Sequence, residues 1–471
     1  MNQADSEAAQ PHAQLRDAHL HLAEHGAGLL TPSAWSCRNI DEVLALVAEA
    51  ARQTPRDRWI VVRSLRVEAL EERRFPTAAE LDEAAGRGAE DGGVVVNVLD
   101  LHSLAASSAA LQAAGIDRHT ADPHAGVVVR DERGEPTGVL LEEAAKLMRP
   151  AIPKPSPEDE IEHVRAAVED MKRRGYVEAH EMHARPPLLR GLRALLERDD
   201  PAARGFRLVL YAVPEHHDET KVLFDALPPN DLVRWGGLKL FTDGTLNSRT
   251  AAMLEPYADP IPSHPRGMLT YSRAELVGHV KSQIARVRER GGAAGDAGGW
   301  HHRPGVAAHA IGDAAVRQLL DVYDELEVDI DQSPEFTLRI EHVQFMHEAD
   351  RERFVRRADG AVRKRPVVAS PQPCHLLADV EGLTRLTPDR LDRCFPTRDL
   401  IDAARAGGFD KRDVVLFGSD TPVVDPSPDD NIQAAVHRRR EDMAEAEAIG
   451  PSQAITRDEA IRLMGSDVPR E

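Results

Sequence analysis

Short apolar runs recur along the chain and predict ten β-strands. In chain order these runs are QLRDAHLHL, WIVVRSL, VVVNVLD, YVEAHEM, FRLVLYAV, GLKLF, GVAAHAI, TLRIEHV, PVVAS and VVLFGSD. Three other segments, at 161–174, 188–197 and 313–325, carry apolar residues every three to four positions with charged residues between them. That spacing is typical of an amphipathic helix. Strands that alternate with such helices predict a parallel sheet with the helices packed outside it.

Several of these strands end in a residue type that binds metal ions. His19 and His21 end the first run, His309 and His342 stand near the ends of two later ones, and Asp420 ends the last. In a (β/α)8 barrel the active site lies at the carboxyl ends of the strands. We therefore predict an α/β fold of the (β/α)8 TIM-barrel type, with Asp420 on its eighth strand.

Ten strands are two more than such a barrel needs. Residues 53–156 contain two of them without clean helical crossovers, together with a hairpin-like stretch, VVVRDERGEPTGVLLEEA, whose turn is at 131–134. We read this segment as a large insertion after the first strand that caps the barrel mouth. The predicted organisation is then 1–52, the first barrel strand and helix; 53–156, the inserted cap; 157–463, the remainder of the barrel; and 464–471, a short tail.

Composition limits the class of protein. Of 471 residues, 42% are hydrophobic and 29% charged, as in ordinary globular proteins, and the formal net charge is −20. An acidic protein is repelled by nucleic acid and by anionic lipid, so we expect neither as a partner. Cys37, Cys374 and Cys394 form no CxxC pair, and no signal peptide or membrane-spanning apolar run is present. We expect a cytoplasmic protein.

The histidines and Asp420 predict a catalytic metal site. Residues two apart on a strand point the same way, so His19 and His21 can reach one ion. Imidazoles and a carboxylate from different strand ends can hold a metal and leave a coordination position open. We predict His19, His21, His309, His342 and Asp420 as ligands. Asp420 is also the predicted catalytic base, because it can accept a proton from metal-bound water and give it to a leaving group.

Lys239, in the middle of GLKLF, has two interpretations. A lysine there should point into the barrel, where an unpaired ammonium is costly. It can form an ion pair with Asp243, which lies at even spacing on the same strand face. Alternatively it carries a carbamate that bridges two metal ions, since burial favours the neutral amine that reacts with CO₂.

Four further residues are candidates for substrate contact. They lie in the loops that follow the fourth and seventh barrel strands, within DGTLNSRT and SPQPCH, and are Asp243, Arg249, Gln372 and His375. Hydrogen bonds that shape these loops are an equally good explanation.

The motifs HLH, KLFTDG, HAIGD, RIEHVQ, SPQP and FGSDTPV resemble the amidohydrolase superfamily, and in particular the amidohydrolase 3 branch that includes N-substituted formamide deformylases. The resemblance runs from about Asp17 to Leu463. It implies that His19, His21, His309, His342 and Asp420 bind zinc or another divalent ion, one or two per chain, and that Lys239 is a carbamylated ligand. Members generally carry a small β-sandwich, which we expect to be mostly missing, because only about sixteen residues precede the His-x-His strand and few follow ITRDEAIRLM.

These observations predict a hydrolase that acts on carbon–nitrogen bonds other than peptide bonds. A metal-activated water would cleave an amide, either an N-acyl or an N-formyl amine. Two alternatives stay open: a metal-binding but catalytically impaired remnant of an amidohydrolase, and a non-hydrolytic metal-dependent barrel enzyme. The expected partner is a small-molecule amide, and a homodimer is one assembly that the sequence allows.

Overall fold

The computed structural model describes residues 14–88, 90–98, 103–124, 126–289 and 303–466. The chain forms two compact units. The smaller unit is Ala27–Asp159, and the larger comprises the described residues before and after it. None of the helices in these ranges combines the length and the apolar character needed to span a bilayer.

Strands and helices alternate through the larger unit, as the sequence pattern predicts. The strands are β1 Leu15–Leu20, β2 Ile60–Leu65, β3 Val94–Val98, β4 Ser103–Ala106, β5 Gly126–Arg130, β6 Pro136–Glu142, β7 Tyr176–Glu181, β8 Arg207–Ala212, β9 Val233–Phe241, β10 Gly305–Ala310, β11 Thr337–His342 and β12 Val368–Ser370. The α-helices are α1 Leu22–Leu30, α2 Ile40–Gln53, α3 Ala78–Ala85, α4 Ser108–Ala113, α5 Pro157–Arg173, α6 Pro186–Glu197, α7 His217–Asp225, α8 Arg273–Glu289, α9 Asp313–Asp331, α10 His375–Leu386, α11 Thr397–Gly407, α12 Lys411–Val414, α13 Pro428–His437 and α14 Arg457–Met464.

The larger unit is a parallel barrel. Seven strands form one sheet in the order β1, β7, β8, β9, β10, β11, β12. Residues 415–420 supply the eighth segment between the two edge strands. The N–H of Leu416 donates to the carbonyl of Ala369 in β12 at 3.0 Å, and the N–H of Ala18 in β1 donates to the carbonyl of Phe417 at 3.0 Å. These bonds close the sheet, and the predicted (β/α)8 barrel is confirmed.

Side-chain alternation gives the barrel its two faces. Apolar residues on one face of the strands join the core that the helices share, including Leu238, Leu240, Val306, Ala308, Leu338 and Ile340. The residues between them point to the other side, as the two-residue period of a strand requires. Lys239, His309 and Glu341 are among these, and all three are buried. The barrel interior is therefore polar near the carboxyl ends of β9, β10 and β11.

The smaller unit has its own five-stranded sheet, in the order β2, β3, β4, β6, β5. β2 and β3 are parallel, and the remaining pairs are antiparallel. The predicted hairpin is confirmed, because β5 and β6 pair directly and Gly134 in their turn has φ +82°. β4 was not predicted, since its sequence, SLAA, is short and has no β-branched residue.

The boundaries of the smaller unit differ from the predicted 53–156. The unit begins at Ala27 and therefore includes α2, which we expected to be the first barrel helix. The reason lies in packing: Val43, Val47 and Ala50 of α2 share an apolar core with Ile60 and Val62 of β2. That this unit caps the barrel stays a prediction.

The barrel sequence ends with α14, whose first turn has a capping box formed by Thr456 and Glu459. Gly465 then forms an isolated antiparallel bridge with Leu15 of β1. The first 13 residues and most of the predicted 464–471 tail lie outside the described ranges. The expected lack of most of the β-sandwich stays a prediction.

Candidate metal centre

Three predicted ligands converge at the end of β1. Nε2 of His21 lies 3.0 Å from Oδ1 of Asp420, and Nε2 of His19 lies 3.4 Å from the same oxygen. One donor atom from each residue lies within 4.8 Å of the other two. Oδ1 of Asp420 is buried and, among the described residues, has no partner with hydrogen-bond geometry. Nitrogen and carboxylate donors that face one point in this way can hold a divalent ion.

The backbone at the end of β1 and the backbone of the eighth segment approach each other closely here. The N–H of Asp420 donates to the carbonyl of His19 at 2.6 Å, and the N–H of His21 donates to the carbonyl of Thr421 at 2.8 Å. A Cβ on Gly418 would lie 2.5 Å from the His19 nitrogen, so only glycine fits at that position. Asp420 itself has φ +62°, a conformation that costs about 1–3 kcal/mol and is concentrated at functional sites.

His342 and His309 lie beside these three residues. The ring of His342 is centred 4.8 Å from that of His19 and 4.4 Å from that of His309. Its backbone is also left-handed, with φ +71°, and its buried Nδ1 has no hydrogen-bond partner within the described ranges. Nε2 of His309 lies 3.1 Å from the carbonyl of Gly244 and 3.3 Å from Oδ1 of Asp243. The fold therefore gathers all four predicted histidines into one group.

Lys239 is fully buried in the same interior. In the part of the chain that the structure describes, its Nζ has no hydrogen-bond partner and lies 5.1 Å from the centre of the Phe241 ring. Burial lowers its pKa to about 8, although the charges of Glu341 and Asp420 oppose that shift. The ion pair with Asp243 is not formed, because the Asp243 carboxylate is bound by backbone N–H groups instead. A buried, unpartnered amine of lowered pKa is suited to carbamate formation.

Burial and charge set the protonation of the ligands. Burial lowers the pKa of His19 to about 4, with the charge of Lys239 acting in the same direction, and places the pKa of His342 well below its usual value. Burial also acts against protonation of His21, but its contact with Asp420 outweighs that effect and raises its pKa. For Asp420, burial alone would raise the pKa, yet its interactions with His19 and His21 hold it well below its ordinary value. Asp420 is therefore ionised and His19 and His342 are neutral, which are the forms that bind metal.

Asp243 and Arg249 lie in the segment after β9 and contact other parts of the protein. Asp243 accepts hydrogen bonds from three backbone N–H groups, those of Ala252, Ile311 and Gly312. It also contacts His309, while Arg249 forms an ion pair with Asp259. These backbone contacts support the interpretation that Asp243 shapes the loop by hydrogen bonding. Its contact with His309 holds that ring in place. Substrate contact by either residue stays a prediction.

Gln372 and His375 follow β12. The buried amide of Gln372 donates to the carbonyl of Ser370 at 2.7 Å, which is again a local contact. His375 reaches the centre: its Nε2 lies 3.2 Å from the carbonyl of Ser419 and 3.8 Å from Oδ2 of Asp420. Of these two predicted substrate residues, His375 is the one placed beside a candidate ligand.

Nearly the whole sequence matches a known protein family. The model of the amidohydrolase family matches residues 15–468. The chain belongs to the amidohydrolase family. Membership makes this protein a hydrolase.

Relatives of this amidohydrolase cover most of its length. YtcJ of Bacillus subtilis (strain 168), named as an amidohydrolase, is 30% identical over 452 residues, covering 95% of this chain and 77% of YtcJ. The N-substituted formamide deformylase of Arthrobacter pascens is 27% identical over 463 residues, covering 95% of this chain and 76% of the relative. A solved structure of an uncharacterized metal-dependent hydrolase from Pyrococcus horikoshii OT3 has a TM-score of 0.70 at 23% identity, covering 96% and 79% of the two chains. That likeness shows a shared fold.

Three carboxylates next to the ligands were not predicted. Oε2 of Glu341 lies 2.7 Å from Nδ1 of His19, and Oε1 of Glu181 lies 4.0 Å from Nδ1 of His21. Asp17 accepts hydrogen bonds from the backbone N–H of Ser419 at 3.0 Å and from its hydroxyl at 2.6 Å, which joins β1 to the eighth segment. Burial raises the pKa of Asp17 to about 7. The signal was available, because DAHLH and RIEH place a carboxylate within two residues of a ligand histidine.

The side chains of this amidohydrolase fit a divalent ion. His19, His21 and Asp420 offer nitrogen and carboxylate donors that face one another. Nδ1 of His342 and Nζ of Lys239 are also buried in this interior and have no hydrogen-bond partner among the described residues. Buried polar atoms are rarely left without partners in folded proteins. Unsatisfied donor atoms beside His19, His21 and Asp420 are therefore consistent with a site for a divalent ion.

Proposed function

We propose that this protein is a metal-dependent amidohydrolase that cleaves the carbon–nitrogen bond of a small N-acyl or N-formyl amine. Zinc or another divalent ion, one or two per chain, would be held by His19, His21 and Asp420, with His309 and His342 beside them. The observation that carries the proposal is the approach of both Nε2 atoms of the His-x-His pair to Oδ1 of Asp420. The name of the Arthrobacter pascens relative supports an N-substituted formamide as a substrate.

The reaction uses the ionised carboxylate of Asp420. A divalent ion supplies Lewis acidity that polarises the amide carbonyl and makes water a better nucleophile. Asp420 accepts the proton that the attacking water gives up. As the carbon–nitrogen bond breaks, Asp420 donates this proton to the departing nitrogen. One water is consumed, an acid and an amine are released, and the carboxylate of Asp420 is restored.

Water, and not a cysteine, is the nucleophile in this proposal. All three cysteines are buried, and burial raises the pKa of each thiol. Cys374, next to the centre, has its thiol 3.7 Å from the carbonyl of Ser419 and a pKa well above its usual value. A thiol that is not ionised is a poor nucleophile.

Lys239 would add a second metal position. Its buried Nζ can react with CO₂ as the neutral amine, and the resulting carbamate would supply two oxygen donors that could each bind a metal ion. The setting we propose is a cytoplasmic enzyme for a small-molecule amide, without nucleic-acid or membrane partners; a homodimer is one assembly that this proposal allows.

The test is turnover before and after metal exchange. Protein treated with a chelator is reloaded with zinc, cobalt or manganese and incubated with a panel of N-formyl and N-acetyl amines, and release of free amine is measured. The proposal expects release from at least one formyl or acetyl amine, only in loaded protein. Loaded protein that releases no amine from any member of the panel would favour the impaired remnant, and equal release without metal would exclude a metal-dependent reaction.

A further inference from the structure

A buried carboxylate lies behind the imidazole of His19. Oε2 of Glu341 is 2.7 Å from Nδ1 of His19, while Nε2 of the same ring faces Asp420. Glu341 is the residue of β11 that precedes His342, and its side chain is fully buried. The ring of His19 is therefore held between two carboxylates, one at each nitrogen.

Arg339 fixes the carboxylate of Glu341. Its Nε donates to Oε1 of Glu341 at 2.9 Å, and its Nη2 donates to Oε2 at 3.1 Å. The same Nη2 donates to the carbonyl of Ala18 in β1 at 2.8 Å and approaches Oγ of Ser370 in β12 to 3.1 Å. Because a guanidinium is planar, these contacts leave Glu341 one orientation.

The same contacts set the charges of Glu341 and His19. Both oxygens of Glu341 accept hydrogen bonds from the Arg339 guanidinium, so Glu341 is the carboxylate of a buried ion pair. A carboxylate at Nδ1 of a neutral imidazole accepts the Nδ1 hydrogen. The lone pair is then on Nε2, the nitrogen that faces Asp420.

We propose that Glu341 is a positioning residue, which orients the ring of His19 and strengthens His19 as a metal ligand. This inference rests on the metal centre of the proposed function. A carboxylate in this position behind a ligand histidine increases metal affinity by about 10- to 100-fold.

His21 provides a comparison within the same centre. Oε1 of Glu181 is 4.0 Å from Nδ1 of His21, which is too long for a hydrogen bond. The two oxygens of Glu181 instead accept hydrogen bonds from the backbone N–H groups of Leu22 and His183, each at 2.6 Å. The geometry therefore gives the positioning role to Glu341 and a backbone-holding role to Glu181.

The experiment compares Co²⁺ binding by three variants of the full chain. Glu341→Gln removes the charge and keeps the shape. Arg339→Met combined with Glu341→Leu removes the whole ion pair, so that no unpaired charge is left in the interior. Glu327→Gln is the matched control: Glu327 of α9 is also buried, and it forms an ion pair with Arg363. Each protein is stripped, its thermal midpoint is recorded, and it is titrated with Co²⁺ against a competing chelator while the visible Co²⁺ spectrum is followed.

We expect the double variant to bind Co²⁺ about 10- to 100-fold more weakly and with an altered spectrum, and Glu327→Gln to bind as the unmodified protein does. Unchanged affinity and spectrum in a folded double variant overturn the inference. If the double variant does not fold, Glu341→Gln takes its place. Weaker Co²⁺ binding with an altered spectrum then supports the inference, and unchanged affinity and spectrum overturn it. Unmodified protein that binds no Co²⁺ at all overturns the metal centre itself, and that outcome differs from a loss confined to Glu341.

Discussion

Nε2 of His21 and Oδ1 of Asp420 lie 3.0 Å apart, and this contact joins the first strand of the barrel to its eighth segment. The contact changes both partners, since it raises the pKa of His21 and lowers that of Asp420. The two residues come from opposite ends of the described chain. The candidate centre therefore exists only when the barrel is closed.

Replacing Asp420 by Asn should remove the proposed base and keep the shape of the side chain. An amide cannot accept a proton from water as a carboxylate does, so kcat should fall by about 10²- to 10⁴-fold. Turnover of the best amide of the panel measures this. Metal content must be determined in the same sample, because Asp420 is also a candidate ligand.

Asp442→Asn is the control for this change, since Asp442 is exposed and its carboxylate contacts Arg440. It should leave kcat unaltered. An Asp420→Asn protein that retains its metal and turns over at nearly the normal rate would exclude Asp420 as the base, and His342 and His183 would be the next residues to test.

Replacing Lys239 by Met should separate the carbamate from a simple buried ammonium. If the carbamate bridges two ions, the variant should lose about one equivalent of metal, and short carboxylic acids added with metal should restore part of the activity. Met is of similar length and apolar, and Nζ has no hydrogen-bond partner within the described ranges, so the fold should tolerate it.

Lys281→Met, in the exposed part of α8, is the control and should keep both metal and activity. If Lys239→Met also keeps its full metal content and its rate, Lys239 carries no bridging carbamate. Metal analysis and kinetics on one preparation are sufficient.

Gly418→Ala tests the close approach of the eighth segment to β1. The added Cβ would lie 2.5 Å from the nitrogen and 2.6 Å from the Cβ of His19, so the strands must move apart. Overpacking of this kind costs about 1–3 kcal/mol. We expect a lower unfolding midpoint and weaker metal binding, although glycine supplies no ligand.

Gly278→Ala in α8 is a matched control, because a Cβ there meets nothing within 4 Å and alanine favours the helix. Its midpoint should be unchanged or higher. If Gly418→Ala has normal stability and metal affinity, the backbone at Gly418 does not pack tightly against His19.

The sequence predicts the barrel well because its pattern is strong. GLKLF, GVAAHAI and TLRIEHV alternate apolar residues with Lys239, His309 and Glu341, and the fold places the apolar set against the helices. The eighth segment, residues 415–420, is harder to predict as a strand. Within it only Val415 forms a β-bridge, an isolated one with Ala369. Asp420 and His342 also adopt left-handed backbone, which strand periodicity does not foresee.

Other features could not be read from local patterns. The boundary at Ala27 depends on α2 packing with β2, a contact that the amphipathic pattern of α2 does not specify. The role of Glu341 depends on Arg339 and on its 2.7 Å contact with His19, a residue distant in sequence. The contacts of Asp243 with the N–H groups of Ile311 and Gly312 also join residues that are distant in sequence.

The central claim is that the His-x-His pair and Asp420 bind a catalytic metal. The most direct measurement is the metal content of protein in which His19 and His21 are both replaced by Ala, with His119 and His124, two exposed histidines, replaced in a control. We predict about one to two equivalents of divalent ion in the unmodified and control proteins, and loss of most of it in the His19/His21 variant. Full retention of metal by a folded His19/His21 variant would contradict the account.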